Sequence, residues 1–256
     1  MKAIILSLLV LFSAQSLHAK TLIVSDVDDT IKMTGVLDNK LKVSFNGIFR
    51  TKAFSGMSEL YNELSSEDIT FHYVSGSPKF IRSRVENFLD ENNFPAGELT
   101  LKDKIKDDTF EYKTNTIQNL INEQKPDKVI LIGDDTEVDP EIYDGLSQAN
   151  PGLVEAIYIH SVKNRKLPDN ASMKGYFSSV EIAAAEIVKG NLKIASLKKI
   201  VHSFVNQSYR SGIALKNHYC PREGREEIQE LKEKITDELG LALLDKAQEK
   251  IISSCN

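Results

Sequence analysis

Short apolar segments alternate with segments of helical periodicity along most of this sequence, and that order narrows the choice of fold. The apolar segments are rich in β-branched residues and are typical of strands buried on both faces. They lie at 21–24, 69–74, 99–101, 129–132 and 154–159. Strands that alternate with helices favour a parallel sheet with crossover helices. The sequence therefore predicts an α/β fold, a Rossmann-like parallel sheet sandwich, over residues 20–190.

Segments of helical spacing follow the predicted strands. They lie at 56–64, from Pro78 onward, at 114–123, from Pro140 onward and at 176–189. Ser77 is a candidate N-cap for the second of these helices, with Pro78 in its first turn. A tight hairpin is expected around Asn46-Gly47, and residues 191–256 are expected to form a helical C-terminal extension.

The N-terminus is typical of a secretory signal peptide. Lys2 precedes an apolar run over 3–12, and small and polar residues lead to Ala19. The run is too short to span a bilayer. We therefore expect residues 1–19 to be removed during export to the periplasm or the medium, with cleavage after Ala14-Gln15-Ser16 as the alternative. The mature chain would then be soluble and without a transmembrane segment. Export also permits a disulfide between Cys220 and Cys255, with two buried free thiols as the alternative.

The charge balance argues against one class of partner, although it does not exclude a local basic patch. The formal net charge is −5 and the pI is about 5.6. Binding to nucleic acid requires concentrated Lys and Arg, so we expect no nucleic-acid partner.

Three predicted strands end in polar clusters. Because the carboxyl ends of parallel strands meet at one edge of a sheet, the clusters should border one crevice. The first cluster holds Asp26, Asp28 and Thr30, the second Ser75 and Gly76, and the third Asp134, Asp135 and Asp139.

So many carboxylates raise one another's pKa unless a cation lies between them. Mg²⁺ is the natural choice, because it binds carboxylates, water and phosphate oxygens. Ser75, just before a predicted helix, and Lys113 in the next one suit a phosphate group. A carboxylate can attack phosphorus to give an acyl phosphate, and a second acid two residues later can protonate the leaving oxygen.

The same residues resemble the motifs of the haloacid-dehalogenase-like (HAD) phosphatases. Asp26-Val27-Asp28-Asp29-Thr30 is similar to their D-x-D-x-T motif, and Ser75, Lys113 and 133–139 match the other three motifs in order. The flanking segments resemble the catalytic domain of the actin-patch-type phosphatidate phosphatases and their bacterial relatives. They are 28–32, 34–36, 73–78, 94–97, 133–136 and 139–143.

The resemblance implies a role for each motif residue. Asp26 would be the nucleophile and Asp28 the general acid and base. Ser75 and Lys113 would bind phosphate together with Thr30 and Gly76. Mg²⁺ would be held by Asp26, the main-chain oxygen of Asp28, and Asp134.

The roles of two acids in the fourth motif remain open. Asp139 is either a supporting acid at the metal or the N-cap of the following helix. Asp135 departs from the family, whose members often have Ser there, and leaves open which acid binds the metal directly. The lysine that offsets the phosphate charge could also be Lys102, Lys104 or Lys106 instead of Lys113. His160 is a candidate residue of the crevice.

The expected function is Mg²⁺-dependent phosphomonoester hydrolysis, with phosphatidate as the first substrate candidate. The alternatives are an exported phosphatase for a protein, nucleotide or small-molecule phosphomonoester, and a non-catalytic Mg²⁺-binding module. Only 45 positions separate Thr30 from Ser75, which leaves room for a minimal cap and an open site. The aromatic hairpin tip, with Phe45 and Phe49, could then dip into a phospholipid surface, although core packing is an equal alternative.

Overall fold

The computed structural model describes residues 20–34, 52–206 and 226–253, and these build a six-stranded sheet with helices on both faces. Neighbouring strands all pair in parallel, in the order β3-β2-β1-β4-β5-β6. The strands are β1 (Thr21–Ser25), β2 (Ile69–Pro78), β3 (Gly97–Lys102), β4 (Lys128–Asp134), β5 (Val154–His160) and β6 (Met173–Tyr176). The predicted α/β sandwich is confirmed.

Eight α-helices are described, together with a 3₁₀ turn at Lys79–Ile81. They are α1 (Met57–Leu64), α2 (Arg82–Glu91), α3 (Thr109–Gln124), α4 (Asp139–Ala149), α5 (Ser179–Lys189), α6 (Ser196–Asn206), α7 (Glu226–Lys234) and α8 (Glu238–Ser253). None of the helices within these described ranges is long and apolar enough to cross a membrane.

Strands β1, β2, β4 and β5 bury both faces, as continuous apolar runs require. In β1, Leu22 and Val24 pack with α3 and α4, whereas Ile23 packs with the helices on the opposite face. That opposite face carries α1, α2 and α5–α8. The side chains of β1 therefore alternate between two cores, and the central strands are inaccessible except at their ends.

The three C-terminal helices pack on the sheet domain rather than apart from it. Their apolar side chains belong to the same core as Ile23 and Phe71. The fully buried members include Leu197, Ile200, Phe204, Ile228, Leu231, Leu244, Ala247 and Ile251. Residues 191–206 and 226–253 thus thicken one face of the sandwich.

The segment around 173–189 differs from the sequence expectation. The predicted helix from 176 begins instead at Ser179, and a short parallel strand, β6, precedes it. The carboxylate of Glu181 accepts hydrogen bonds from the backbone amides of Phe177 and Ser178. This reach of an N3 glutamate back to the N-cap is half of a capping box, which fixes the helix start.

The end of β2 also differs. The strand continues through Ser75 to Pro78, and the 3₁₀ turn separates it from α2, which begins at Arg82. Ser77 is therefore not the N-cap of this helix, and the prediction of a helix starting at Pro78 was wrong. Helix α3 begins earlier than predicted, at Thr109, because the side chain of Asp108 caps it by accepting from the amide of Glu111 (2.8 Å).

Several predictions lie outside the described residues. They are the signal peptide at 1–19, the hairpin around Asn46-Gly47 with Phe45 and Phe49, and the pairing of Cys220 with Cys255.

Candidate active site

The site lies where the chain order of the sheet reverses, between β1 and β4. From β1 the chain builds outward through β2 and β3, and then returns to the other side of β1 with β4. Such a reversal leaves a crevice beyond the carboxyl ends of the two central strands. The amide of Asp26 donates to the carbonyl of Ile132 (2.8 Å), which holds the end of β1 against β4.

Three carboxylates converge in this crevice. One oxygen each from Asp26, Asp134 and Asp139 lies within 4.8 Å of the others, and all three residues are buried. We call these residues the acidic cluster. The strand ends bring together Asp26 and Asp134, as predicted, and the first turn of α4 adds Asp139.

Lys113 lies between two members of the acidic cluster. Its Nζ donates to Oδ1 of Asp26 (2.7 Å) and to Oδ1 of Asp139 (2.6 Å), and its side chain is buried. Burial alone would lower the pKa of Lys113, but the carboxylates of Asp139 and Asp26 outweigh it and hold that pKa well above its usual range. Lys113 is therefore a fixed cation inside the site.

One lysine does not neutralise three buried acids. Burial raises the pKa of Asp26 to about 8, with Lys113 opposing the shift and Asp139 and Asp28 adding to it. Burial, followed by the neighbouring carboxylates, also raises the pKa of Asp134 well above its usual range. Oδ2 of Asp139 is buried without a hydrogen-bond partner within the described part of the chain. An excess of oxygen ligands and an unpaired carboxylate oxygen fit a divalent cation.

Gly133 makes room for this arrangement. A Cβ at this position would lie 2.6 Å from Oδ2 of Asp139 and 2.8 Å from Cε2 of Tyr143. No real Cβ approaches other atoms so closely, so a side chain here would displace Asp139. The glycine before Asp134 is thus required by packing rather than by its backbone angles.

The loop after β1 is held in shape by polar contacts. The hydroxyl of Thr30 donates to Oδ2 of Asp26 (3.0 Å) and lies 3.3 Å from Oδ2 of Asp134. Asp29 has a left-handed backbone (φ 56°), which is uncommon for a residue with a side chain. Its carbonyl accepts from Nδ1 of His160 (2.7 Å), and its Oδ1 accepts from the amide of Thr34 (3.0 Å). Both contacts hold the turn that carries Asp28.

Asp28 lies at the more open side of the site. Its side chain is 27% exposed, against 4% for that of Asp26. Its Oδ2 accepts from the hydroxyl of Ser77 (2.9 Å) and lies 3.3 Å from that of Ser75. This carboxylate lies outside the acidic cluster. Its position agrees with the predicted metal site, in which Asp28 would contribute its main-chain oxygen and not its side chain.

Asp135 has a different partner set. Its Oδ1 accepts from the amides of Val162 (2.8 Å) and Lys163 (2.6 Å), and its Oδ2 accepts from the amide of Arg165 (2.9 Å). All three amides belong to the loop after β5. The extra carboxylate is thereby occupied as an anchor for that loop, away from the acidic cluster.

The structure brings most predicted site residues together and corrects some details. The N-cap of α4 is Val138, and Asp139 is the first helical residue, so the prediction of Asp139 as the N-cap was wrong. Lys102, a rival of Lys113, instead binds the carbonyl of Asp107 and the hydroxyl of Thr109. Gly76 lies against Thr109: a Cβ added to this glycine would be 3.2 Å from the Cγ2 atom of that threonine.

Two contributing residues have contacts that the sequence did not predict, since Ser77 was expected to be an N-cap and His160 was only a candidate crevice residue. Ser77 bonds Asp28, and the two-residue period of an extended strand could have revealed it, because Ser75 and Ser77 share a face. His160 supports Asp29 from the end of β5 and stacks on Tyr176, with Phe54 at its edge. Phe54 is half-buried here.

Comparison with known proteins agrees with this geometry. The family described as phosphatidate phosphatase APP1, catalytic domain, matches residues 21–161. Phosphatidate phosphatase APP1 of Saccharomyces cerevisiae is 30% identical over 154 residues, which are 56% of this chain and 26% of that protein. An uncharacterized protein of Schizosaccharomyces pombe is 27% identical over 150 residues, 55% of this chain and 25% of that protein.

The chain thus spans about a quarter of the length of each of these two relatives. The matched region runs from β1 to the residue after β5 and contains every member of the acidic cluster. The match covers more than half of this chain. The chain therefore belongs to the family of the catalytic domain of phosphatidate phosphatase APP1.

Proposed function

We propose that this protein is a Mg²⁺-dependent phosphomonoester hydrolase that acts through an aspartyl-phosphate at Asp26, with phosphatidate as its substrate. The observation that carries the proposal is the convergence of the acidic cluster and Lys113 at the reversal point of the sheet. Diacylglycerol and inorganic phosphate would be the products.

The metal would be held by Asp26 and Asp134, with a carboxylate oxygen of Asp139 close enough to support it. When bound, Mg²⁺ supplies charge that offsets both the carboxylates and the phosphate. The residues present fit that role, because hard oxygen donors dominate the cluster. Lys113 adds a second, permanent positive charge beside the nucleophile.

Asp26 and Asp28 divide the chemistry between them. A carboxylate oxygen of Asp26 attacks phosphorus, the bond between phosphorus and the ester oxygen breaks, and Asp28 gives a proton to the departing alkoxide. Asp28 then takes a proton from water as that water releases phosphate from Asp26. The greater exposure of Asp28 suits a group that exchanges protons with leaving group and water, and a binding module would have no use for this second acid.

Two observations support phosphatidate over a soluble ester. The family match is to a phosphatidate phosphatase catalytic domain. The short interval between Thr30 and Ser75 leaves no room for a large cap, so a bulky lipid can approach the site.

An assay with matched variants tests the proposal. Purified protein is given p-nitrophenyl phosphate or phosphatidate vesicles, with Mg²⁺ or with a chelator. We expect Mg²⁺-dependent turnover of both substrates, with the lipid preferred. Asp26→Asn should lose on the order of 10³-fold or more in rate, whereas Asp127→Asn, an exposed aspartate at the opposite edge of the sheet, should keep full activity.

Other outcomes separate the alternatives. Activity on the soluble ester alone would favour a phosphatase for another phosphomonoester. Mg²⁺ binding without turnover of either substrate would favour a non-catalytic module. Acid-stable ³²P label on Asp26→Asn would contradict the assignment of the nucleophile.

We also infer export with cleavage after Ala19. Strand β1 begins at Thr21 and the amide of Lys20 donates to Oδ2 of Asp127 (2.8 Å), so a chain that starts at Lys20 keeps the first strand intact. N-terminal sequencing of the protein recovered outside the cytoplasm should read Lys20-Thr21-Leu22, and a start at Met1 would contradict this.

A further inference from the structure

Three exposed apolar side chains lie on segments that follow the carboxyl ends of β2 and β3. Phe80 is 73% exposed, Ile105 70% and Phe110 45%. Phe80 lies in the 3₁₀ turn after β2, Ile105 in the loop after β3, and Phe110 in the first turn of α3. We call these three residues the apolar rim. Within the described ranges, Phe80 and Ile105 are the two most exposed large apolar side chains.

Polar contacts join the three segments into one surface. Nζ of Lys79, beside Phe80, pairs with the carboxylate of Asp103 in the loop of Ile105. Nζ of Lys102, at the end of β3, donates to the hydroxyl of Thr109 (2.9 Å), beside Phe110. The three segments that carry the apolar rim are therefore linked to one another.

This surface adjoins the open side of the site. Thr109 packs on Gly76, which lies between Ser75 and Ser77. The hydroxyls of these two serines bond Asp28, the acid that would serve the leaving group. The segment that carries Phe110 is thus in contact with the strand end whose serines bond Asp28.

Basic residues flank the rim. The charged residues between 79 and 84 are Lys79, Arg82 and Arg84, and Ile105 has Lys104 and Lys106 as neighbours. Lys79 pairs with Asp103 and Arg82 with Glu86, and the carboxylate of Asp107 accepts from the amide of Lys104 (2.9 Å). The stretch 102–106 around Ile105 holds three lysines and one aspartate. Exposed apolar tips among basic residues are typical of surfaces that bind an anionic lipid interface.

We propose that the apolar rim inserts into an anionic phospholipid bilayer and holds the open side of the site against its headgroups. The inference deepens the proposed function and rests on it for the substrate, since a phosphatidate headgroup stays at the bilayer surface. A soluble ester needs no such surface. Insertion would therefore affect lipid binding and lipid turnover but not the chemistry itself.

Vesicle flotation with matched variants tests this proposal. The vesicles contain phosphatidylcholine and phosphatidylglycerol without phosphatidate, so that binding is measured apart from hydrolysis. The rim variant is Phe80→Ser with Ile105→Ser and Phe110→Ser. The control replaces Ile194, Leu239 and Ile252 by Ser, exposed apolar residues on the helical face away from the site.

We expect the rim variant to bind these vesicles at least about tenfold more weakly, because three apolar side chains no longer leave water. Its hydrolysis of p-nitrophenyl phosphate and its thermal unfolding should match those of the parent. The control variant should bind like the parent. Turnover of phosphatidate vesicles should fall with binding in the rim variant only.

Three results would overturn the proposal. They are unchanged vesicle binding by the rim variant, an equal loss in the control variant, and a parent that does not bind vesicles, which would leave the rim to a protein partner. Rim-dependent vesicle binding without any phosphatidate hydrolysis would sustain the surface assignment and refute the substrate instead.

Discussion

The acidic cluster and the layer formed by α6–α8 are both buried, but different forces act in them. The cluster holds three acids beside Lys113, and burial shifts the pKa of Asp26 and that of Asp134 upward. The helical layer holds apolar side chains such as Leu197, Phe204 and Leu244. Burial of apolar surface stabilises a fold, whereas burial of unbalanced charge opposes it.

The comparison teaches where stability and function reside. Residues of the helical layer should change the free energy of unfolding and leave the chemistry of a folded molecule intact. Substitutions in the acidic cluster should change the chemistry more than the free energy of unfolding, because three buried acids without a cation do not stabilise the fold. Substitutions in either region can break or sharpen this division.

The largest effect on stability is expected for Leu244→Ala in α8. Leu244 is fully buried, so the substitution removes apolar contacts and leaves a cavity. We expect the free energy of unfolding to fall by about 3 kcal/mol, measured by urea denaturation. Activity per folded molecule should not change.

Leu239→Ala is the matched control on the same helix. Leu239 is 55% exposed, so its loss should change the free energy of unfolding by no more than about 0.5 kcal/mol. A large loss of activity in the folded Leu244→Ala protein would break the division between the two regions.

Gly133→Ala is expected to act on the chemistry first. The added Cβ would displace the carboxylate of Asp139 and press on Tyr143. A displacement of about 1 Å near the reacting groups can cost about 100-fold in rate, and overpacking should lower the free energy of unfolding by about 1–3 kcal/mol. Hydrolysis of p-nitrophenyl phosphate and urea denaturation measure the two effects.

The control for this substitution is Gly145→Ala in α4. Nothing lies within 4 Å of a Cβ there, and alanine favours a helix by about 1 kcal/mol over glycine. This variant should be slightly more stable and equally active. Equal activity in Gly133→Ala would show that the position of Asp139 does not matter.

Asp135→Asn separates an acid that holds a loop from an acid that holds a metal. An asparagine can still accept from two amides, but its NH₂ group would face the third donor among Val162, Lys163 and Arg165. We expect the free energy of unfolding to fall by about 2 kcal/mol, with little change in Mg²⁺ affinity measured by calorimetric titration.

Asp134→Asn is the contrasting variant. It should weaken Mg²⁺ binding and leave the stability of the metal-free protein equal or higher, because it removes a buried acid whose ionisation burial and the neighbouring carboxylates oppose. If Asp135→Asn weakened Mg²⁺ binding as strongly as Asp134→Asn, the loop-anchor role of Asp135 would be wrong.

The sequence predicted the parts of the fold that local pattern determines. Continuous apolar runs mark β1, β2, β4 and β5 because both faces of each are buried. Strand β6 was missed because it has four residues, includes the polar Lys174, and pairs with β5 alone. A strand at the edge of a sheet needs less apolar surface, so the pattern is weak.

The site shows the same limit. The positions of Asp26 and Asp134 follow from strand ends, which a parallel sheet places at one edge. The ion pair of Lys113 with Asp139 joins α3 to α4, and no local pattern encodes such a tertiary contact. The three amides bound by Asp135 lie 27 to 30 residues away in the chain, so its role could not be deduced from its neighbours.

The smallest expected effect concerns the joint between the helical layer and the sheet domain. Nζ of Lys199 in α6 donates to Oε1 of Glu63 in α1 (2.6 Å), and this hydrogen bond is the main reason that the pKa of Glu63 is lowered from 4.5. A lowered pKa in the folded state adds stability above the unfolded value, and that contribution disappears as pH falls through the folded pKa. The lysine side chain is 71% exposed, so solvent screens the pair.

Glu63→Gln should therefore lower the free energy of unfolding by only about 0.5 kcal/mol at pH 7, and the difference should shrink once the pH falls below 4.5. Lys199→Gln should cost about as much, and the double variant should cost little more than either single one, because both remove the same interaction. Urea denaturation from pH 7 to pH 3 measures all three. If the Glu63→Gln deficit stayed constant across that range, the charge of Glu63 would not contribute to this joint, and its effect would come from packing alone.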